Sequence, residues 1–402
     1  MNPYLDERHE RFRAEIREFA ESEVAPVARA HDEESRFPWE NVRKMAELGL
    51  FGVDVPTEYG GQGLDYPSYL LVIEELARID ASHAITISAH STLGTSPILN
   101  FGTEAQKRRY VPLLASGQVL GGFGLTEPGA GSDAGGTQTV AVRENGGYRI
   151  NGSKIFITHA GVGEIFVVTA VTDREKGARG ISSFIVTKET TDREAADRVG
   201  VGHAPELEPF TPGVRAGKKE DKMGWRASDT RELILEDAQV PAENRLGAEG
   251  EGFINFMKTL DSGRIGIAAL ALGLAQGALD QSIRFTGERE QFGKPIRAFQ
   301  GVQFALADMA TEIACARHLV YHAAWLKQRG RPFSQAAAMA KLYASELAMR
   351  ATTRAVQLHG GYGYTSEYPV ERMMRDAKIL EIGEGTSEVQ RLVIARHLLG
   401  RD

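Results

Sequence analysis

Four stretches of the 402-residue chain combine residue types that can do chemistry with backbone that can come close to a ligand. The first, Phe123-Gly-Leu125-Thr-Glu-Pro-Gly-Ala-Gly-Ser-Asp-Ala-Gly-Gly136, presents backbone N–H groups through its small residues and adds the hydroxyls of Thr126 and Ser132. Such a loop wraps a phosphate or the polar edge of a heteroaromatic ring, and it reads equally as a glycine-rich turn between helix and strand. Lys154-Ile-Phe-Ile-Thr158 alternates as a strand, which predicts that Phe156 and Thr158 project to one side. A flavin ring could stack on that aromatic face and accept a hydrogen bond from that hydroxyl, although strand residues of this pattern also serve as core. Gln357-Leu-His-Gly-Gly-Tyr-Gly-Tyr-Thr365 ends a helical pattern in glycines, which suits a helix C-cap or the close approach of a cofactor. Leu380-Glu-Ile-Gly-Glu384-Gly-Thr-Ser-Glu-Val-Gln390 sets Glu384 in a loop before a last helix. There Thr386 or Ser387 can cap that helix, with Glu384 and Glu388 favouring its positive end.

The elements that must position these stretches divide the chain in three. From Leu5 to Ser116 apolar residues recur at helical spacing, as in Phe12, Ile16, Phe19 and Val24 or Leu70, Ile73 and Leu76, so residues 1–119 are expected to form an α-helical domain. Short β-branched runs separated by Gly, Asn or Asp follow, with Asn145-Gly146 as a hairpin turn, and they predict a middle β-domain over 120–240, a barrel or sandwich-like sheet. Glu189 to Pro212 reads as a long loop inserted between strands. Long helical stretches return in 241–402, at Gly252 to Thr286, Phe299 to Gln328 and Ser334 to Leu358, and predict a four-helix bundle. The fold class is therefore α+β and multidomain.

Composition narrows the function. Apolar residues make up 42% and charged residues 25%, an ordinary globular balance. The net charge of −7 gives no general attraction to nucleic acid or to an anionic membrane. Cys315 is the only cysteine, so no intrachain disulfide can form. No apolar run approaches the roughly 18 residues of a membrane span, and the N-terminal residues resemble neither a signal nor a transit peptide. The expected location is the cytoplasm, or the mitochondrial matrix if a transit segment was removed. No P-loop, zinc-protease, nucleophile-elbow or G-x-G-x-x-G dinucleotide motif is present. His318 and His322 share a helix face, but no carboxylate or cysteine joins them at ligand spacing, and no metal site is expected.

Taken together, and over nearly the whole chain, these patterns resemble the acyl-CoA dehydrogenase family, closest to its short-chain or butyryl-CoA members. The resemblance rests on Gly124 to Gly136, on Gln357 through Gly360, Gly361, Gly363, Glu367 and Arg372 to Asp376, and on Leu260-Asp-Ser-Gly-Arg-Ile-Gly-Ile267, Arg289-Glu-Gln-Phe-Gly-Lys-Pro295 and Glu384-Gly-Thr-Ser-Glu388. It implies FAD, embraced by Phe123, Leu125, Thr126, Ser132, Phe156, Ile157 and Thr158. The dinucleotide would be held further by Arg289, Gln300, Gln357, Leu358, Gly360, Gly361, Thr386, Ser387 and Glu388, partly across a dimer interface. It implies acyl-CoA contacts at Ser132, Asp261, Ser262, Gly263, Arg264 and Gly385, and Glu384 as the catalytic base. Some relatives carry the base on the long helix, where this chain has Gly263.

The implied reaction is α,β-dehydrogenation of an acyl-CoA to the trans-2-enoyl-CoA in fatty acid β-oxidation. Electrons would pass to an electron-transfer flavoprotein, and the enzyme would be a homotetramer, a dimer of dimers. Alternatives on the same fold are an acyl-CoA oxidase using O₂ and a nucleic-acid-binding flavoprotein. Against the family pattern, Phe156 stands in place of a Trp, Gly383 in place of a Tyr before the base, and 189–212 is longer than usual. Gly383 opens space near the substrate Cα and Cβ, and Leu260 to Ile267 resembles the short-chain type, whose pocket is shallow; together these imply short straight, branched or cyclic acyl groups.

Overall fold

Asp6 starts the first helix by accepting hydrogen bonds from the backbone of Arg8 and His9, while the His9 side chain accepts from Asp6 N. This reciprocal cap satisfies N–H groups that a helix end leaves unpaired. From that point the computed structural model, which describes residues 3–400, runs through α1 (Glu7–Phe19), α2 (Ala25–Glu33), α3 (Trp39–Glu47), α4 (Tyr66–Ile79), α5 (Ala81–Ala89), α6 (Ser96–Phe101) and α7 (Glu104–Ala115). Pro26 and Pro67 lie in first turns, where the missing N–H costs nothing, and Asp65 caps α4 through Ser68 N.

The middle section holds β1 (Gly121–Gly124), β2 (Val140–Glu144), β3 (Gly147–Thr158), β4 (Ile165–Val171), β5 (Ile181–Thr187), a short helix α8 (Arg193–Val199), β6 (Val214–Lys219), β7 (Thr230–Pro241) and β8 (Arg245–Leu246). These strands form one sheet in the order β6-β7-β3-β2-β4-β5-β8, with β1 added parallel to β4. Asn145 and Gly146, at φ 51° and 78°, close the β2–β3 hairpin as their types predict. β8 pairs with β5, so strand pairing continues beyond residue 240.

The last section holds α9 (Gly252–Glu288), a two-stranded hairpin of β9 (Glu290–Gln291) and β10 (Lys294–Pro295), α10 (Gln300–Gln328), α11 (Ser334–His359), α12 (Val370–Ala377) and α13 (Ser387–Leu399). α9 is the spine of the molecule. Its residues Ile265 to Leu279 share one apolar cluster with α4, α10 and α11, while Phe256 joins a second cluster with Val111, Phe123 and Ile165. By length and composition α9 could cross a membrane, but 94% of its most apolar stretch is buried inside the protein. Its seam with α4 depends on glycine, since a Cβ at Gly273 or Gly277 would run into Glu74 O or Arg78 O.

The 189–212 segment differs from its expectation as a long loop. It contains α8, and Ala196, Ala204 and Leu207 are buried. Trp39 Nε1 on α3 donates to Asp192 Oδ2 at 3.3 Å, and Gly202, at φ 83°, passes directly under the Trp39 ring. Glu164 ties the segment to the sheet through His203 Nδ1 at 2.6 Å and Ala204 N at 3.0 Å. The physical reason is burial of small apolar residues against the first helical section, which orders a stretch whose own propensity is modest.

Candidate active site

Glu384 lies on the turn between Gly383 and Thr386, where the chain leaves a short helical stretch and enters α13. Thr386 caps α13 by accepting from Val389 N, so the capping reading of this segment holds alongside the functional one. Glu384 itself has φ 53°, a left-handed conformation that a side-chain-bearing residue rarely adopts outside strained or functional positions. This turn lays the carboxylate against α9 at Gly263, where a Cβ would run into Oε2. The glycine is thus what admits the carboxylate. Part of Glu384 remains accessible, but Oε2 is closed off from solvent and has no hydrogen-bond partner among the described residues. Burial pushes the carboxyl up to about 7, against the opposing pull of Lys341 and Arg264.

The predicted acyl-CoA positions on α9 face inward more than outward. Arg264 is 2% exposed and bonds Asp261 Oδ1 at 2.6 Å, and Asp261 also accepts from Ser334 Oγ at 2.9 Å. Ser262 is buried, and its carbonyl accepts from Tyr66 Oη at 2.9 Å. Gly385, at φ 92°, accepts from Lys341 Nζ at 2.7 Å and Gln390 Nε2 at 2.8 Å. Asp261 to Arg264, Glu384 and Gly385 therefore meet at one place. Lys341, Tyr66 and Tyr69 were missed in the sequence. For Lys341 the one signal is a lone charge inside the alanine-rich run Ala336 to Ala344.

At the middle sheet, Glu127 pins the glycine-rich loop. Its carboxylate accepts from Gln138 N, Thr139 N, Thr139 Oγ1 and Lys154 Nζ, the last at 2.6 Å. Burial pulls Lys154 down to about 8, against the pull of Glu127. Ile155 N donates to Thr126 O, locking loop to strand. The pairing of β3 with β7 breaks between Lys154 and Ile157, and Phe156 stands at φ 58° with 63% of its surface exposed. This bulge replaces the expected simple alternation and swings the ring outward. Thr158 is half-buried and Ser132 exposed, whereas Phe123 and Ile157 turn into apolar clusters, leaving backbone as what they offer a ligand.

A cavity of about 510 Å³ at the end of α11 is lined by Arg289, Gln357, Leu358, Gly360 and Gly361, and no residue of the middle sheet borders it. Gln300 is exposed at the start of α10, outside that lining, and Glu388 is exposed on α13. Ser387 Oγ is buried and has no hydrogen-bond partner among the described residues. A flat heteroaromatic dinucleotide suits these features: Phe156 presents an exposed ring, and a Cβ at Gly129, Gly131, Gly360 or Gly361 would meet open space.

The chain matches three family descriptions in order: Acyl-CoA dehydrogenase, N-terminal domain, over residues 6–118; the middle domain over 122–238; and the C-terminal domain over 250–399. The chain belongs to the acyl-CoA dehydrogenase family. The short-chain-specific acyl-CoA dehydrogenase of Clostridium acetobutylicum is 51% identical over 395 residues, covering 98% of this chain and 99% of that one. The butyryl-CoA dehydrogenase of Megasphaera elsdenii superposes with a TM-score of 0.91 at 47% identity, covering 98% and 99%. A chain from the structural work on the electron transferring flavoprotein of Acidaminococcus fermentans superposes at 0.93 and 49% identity over the whole of both chains. This acyl-CoA dehydrogenase is thus an FAD-dependent oxidoreductase, with the helical, β and helical sections its sequence predicts.

Proposed function

We propose that this acyl-CoA dehydrogenase oxidises short acyl-CoA thioesters, with Glu384 removing the α-proton. The observation that carries the assignment is the Glu384 carboxylate, seated against Gly263 with Oε2 buried and unpartnered. A thioester acidifies its α-carbon, and a carboxylate raised to about 7 is a stronger base than an exposed one while still half ionised near neutral pH. Bound FAD supplies the acceptor for the β-hydride. Phe156 and Thr126 would hold the ring, and Arg289 with Gln357 to Gly361 would hold the rest of the dinucleotide.

Acyl length follows from α9. Gly266 lies on the same face as Gly263, and a Cβ there would come within 3.0 Å of Ser88 Oγ and 3.3 Å of Tyr69 Oη. Those side chains close the space about one helical turn from the base, which supports short acyl groups over long ones. The exposed rings of Phe292, at 92%, and Tyr364, at 86%, adjoin the 289–361 cavity in sequence and support its completion by a second copy in a homotetramer. The Acidaminococcus fermentans relationship supports an electron-transfer flavoprotein as acceptor. The bacterial relatives support a cytoplasmic location and give the mitochondrial alternative no support. Anaerobic titration of the purified protein with butyryl-, octanoyl- and palmitoyl-CoA tests the reading: butyryl-CoA bleaches the flavin, and bleaching only by palmitoyl-CoA, or no flavin at all, contradicts it.

A further inference from the structure

The loop that carries Glu384 is held by a lysine that the chemistry above does not use. Glu384 and Gly385 stand in succession in the left-handed region, a conformation that persists where the surroundings over-determine it. Two side chains hold it. Gln390, on the first turn of α13, donates to Glu384 O at 3.3 Å and Gly385 O at 2.8 Å. Lys341, from α11, donates Nζ to the same Gly385 O at 2.7 Å. Lys341 is fully buried, and among the described residues its ammonium forms no ion pair with a carboxylate.

The charged and titratable groups around Glu384 come from three helices. α9 contributes Arg264, already tied to Asp261. α4 contributes Tyr66 and Tyr69, phenols that burial keeps neutral. α11 contributes Lys341, on which Glu381, paired with Lys378, and exposed Glu388 also act. Burial strips hydration from both partners, pulling Lys341 down to about 8 as it lifts Glu384, and each charge draws the other back toward ionisation. An unpaired ammonium in such a place is costly unless something it faces is charged.

We propose that Lys341 is the positioning residue of the proton-abstracting loop: it fixes Gly385 O to α11 and supplies the positive charge, not neutralised by an ion pair of its own, that faces Glu384. The inference rests on Glu384 as the proton acceptor. Lys341→Gln removes the charge and keeps a donor on a side chain one bond shorter, whereas Lys341→Met removes both charge and donor.

Each substitution is made in the holoenzyme with and without Glu384→Gln, and thermal unfolding is followed from about pH 5 to about pH 9. The gap between a chain and its Glu384→Gln counterpart grows with pH until Glu384 is ionised in the folded state. It levels off near pH 7 in the parent and at least about one pH unit higher in both Lys341 variants. The pH profile of flavin reduction by butyryl-CoA moves by the same amount. At the plateau, Lys341→Met is slower than Lys341→Gln by about tenfold, because the loop has also lost its tether. Unchanged levelling pH in both variants overturns the inference. If Lys341→Met does not fold, Lys341→Gln decides alone. If Glu384→Gln in the parent still reduces flavin at the parental rate, the base assignment fails separately, and the thermal gap still reads the charge coupling.

Discussion

At the residue scale, we expect one glycine and one carboxylate to carry most of the specificity and the pH dependence. Gly383 has φ outside the left-handed region, and the nearest atom to a Cβ built there is Ile379 O at 3.5 Å, ordinary contact. A side chain is therefore admissible, and Gly383→Tyr is expected to fold and narrow the space beside the base. We expect kcat/KM for 2-methylbutyryl- and cyclohexanecarboxyl-CoA to fall at least about tenfold more than for butyryl-CoA; equal losses would show that Gly383 does not set acyl shape. Glu384 has a folded-state pKa above its ordinary value, so its contribution to stability is present at acid pH and is lost as pH rises toward about 7. Glu384→Gln should accordingly raise Tm relative to the parent, by more at pH 8 than at pH 5 as read by calorimetry. Glu384 could be singled out as the proposed base because Glu384-Gly-Thr-Ser-Glu388 belongs to the stretches that resemble the family. Lys341 could not be, because a lysine within an alanine-rich helix has no local pattern that distinguishes a solvated face from a buried tether; only the folding of α11 against the 384–385 turn supplies it.

At the element scale, close approach of backbones decides what sequence periodicity cannot. The α4–α9 seam admits no Cβ at Gly273, so Gly273→Ala should force the helices apart and cost about 1–3 kcal/mol, measured by denaturant unfolding. A cost below about 0.5 kcal/mol would mean the seam can open freely. In the 189–212 segment, Gly202 under the Trp39 ring is the tightest point, in a conformation disfavoured for other residues. Gly202→Ala should loosen the segment, making it the first site of limited proteolysis while the rest of the chain stays resistant. The long helices α9, α10 and α11 were readable to within two residues at each end because their apolar repeats run for 26 to 37 residues. α8 was not, because its seven residues carry no helical apolar stripe of their own and are ordered by Trp39 and Glu164. The bulge at Phe156 escaped for a related reason: strand alternation predicts a side, and a break in register with β7 overrides it.

At the scale of the whole molecule, the proposed reaction draws on residues from separate sections of the chain. The middle sheet offers Phe156 and the Glu127-pinned loop, α9 offers the Gly263 face, and the last turn offers Glu384. Electron disposal separates the dehydrogenase from the alternatives: we expect reduced enzyme with bound product to persist in air and to be reoxidised by an electron-transfer flavoprotein, and hydrogen peroxide formed in step with turnover would make the oxidase reading correct. Abstraction of the α-proton by Glu384 is tested most directly by single-turnover flavin reduction by butyryl-CoA in Glu384→Gln. The variant should bind FAD, keep the parental far-ultraviolet circular dichroism and reduce its flavin about 10²- to 10⁴-fold more slowly than the parent, since an amide cannot accept the proton. Reduction within about tenfold of the parental rate would contradict the claim and move the search for the base to Glu381 or Glu388.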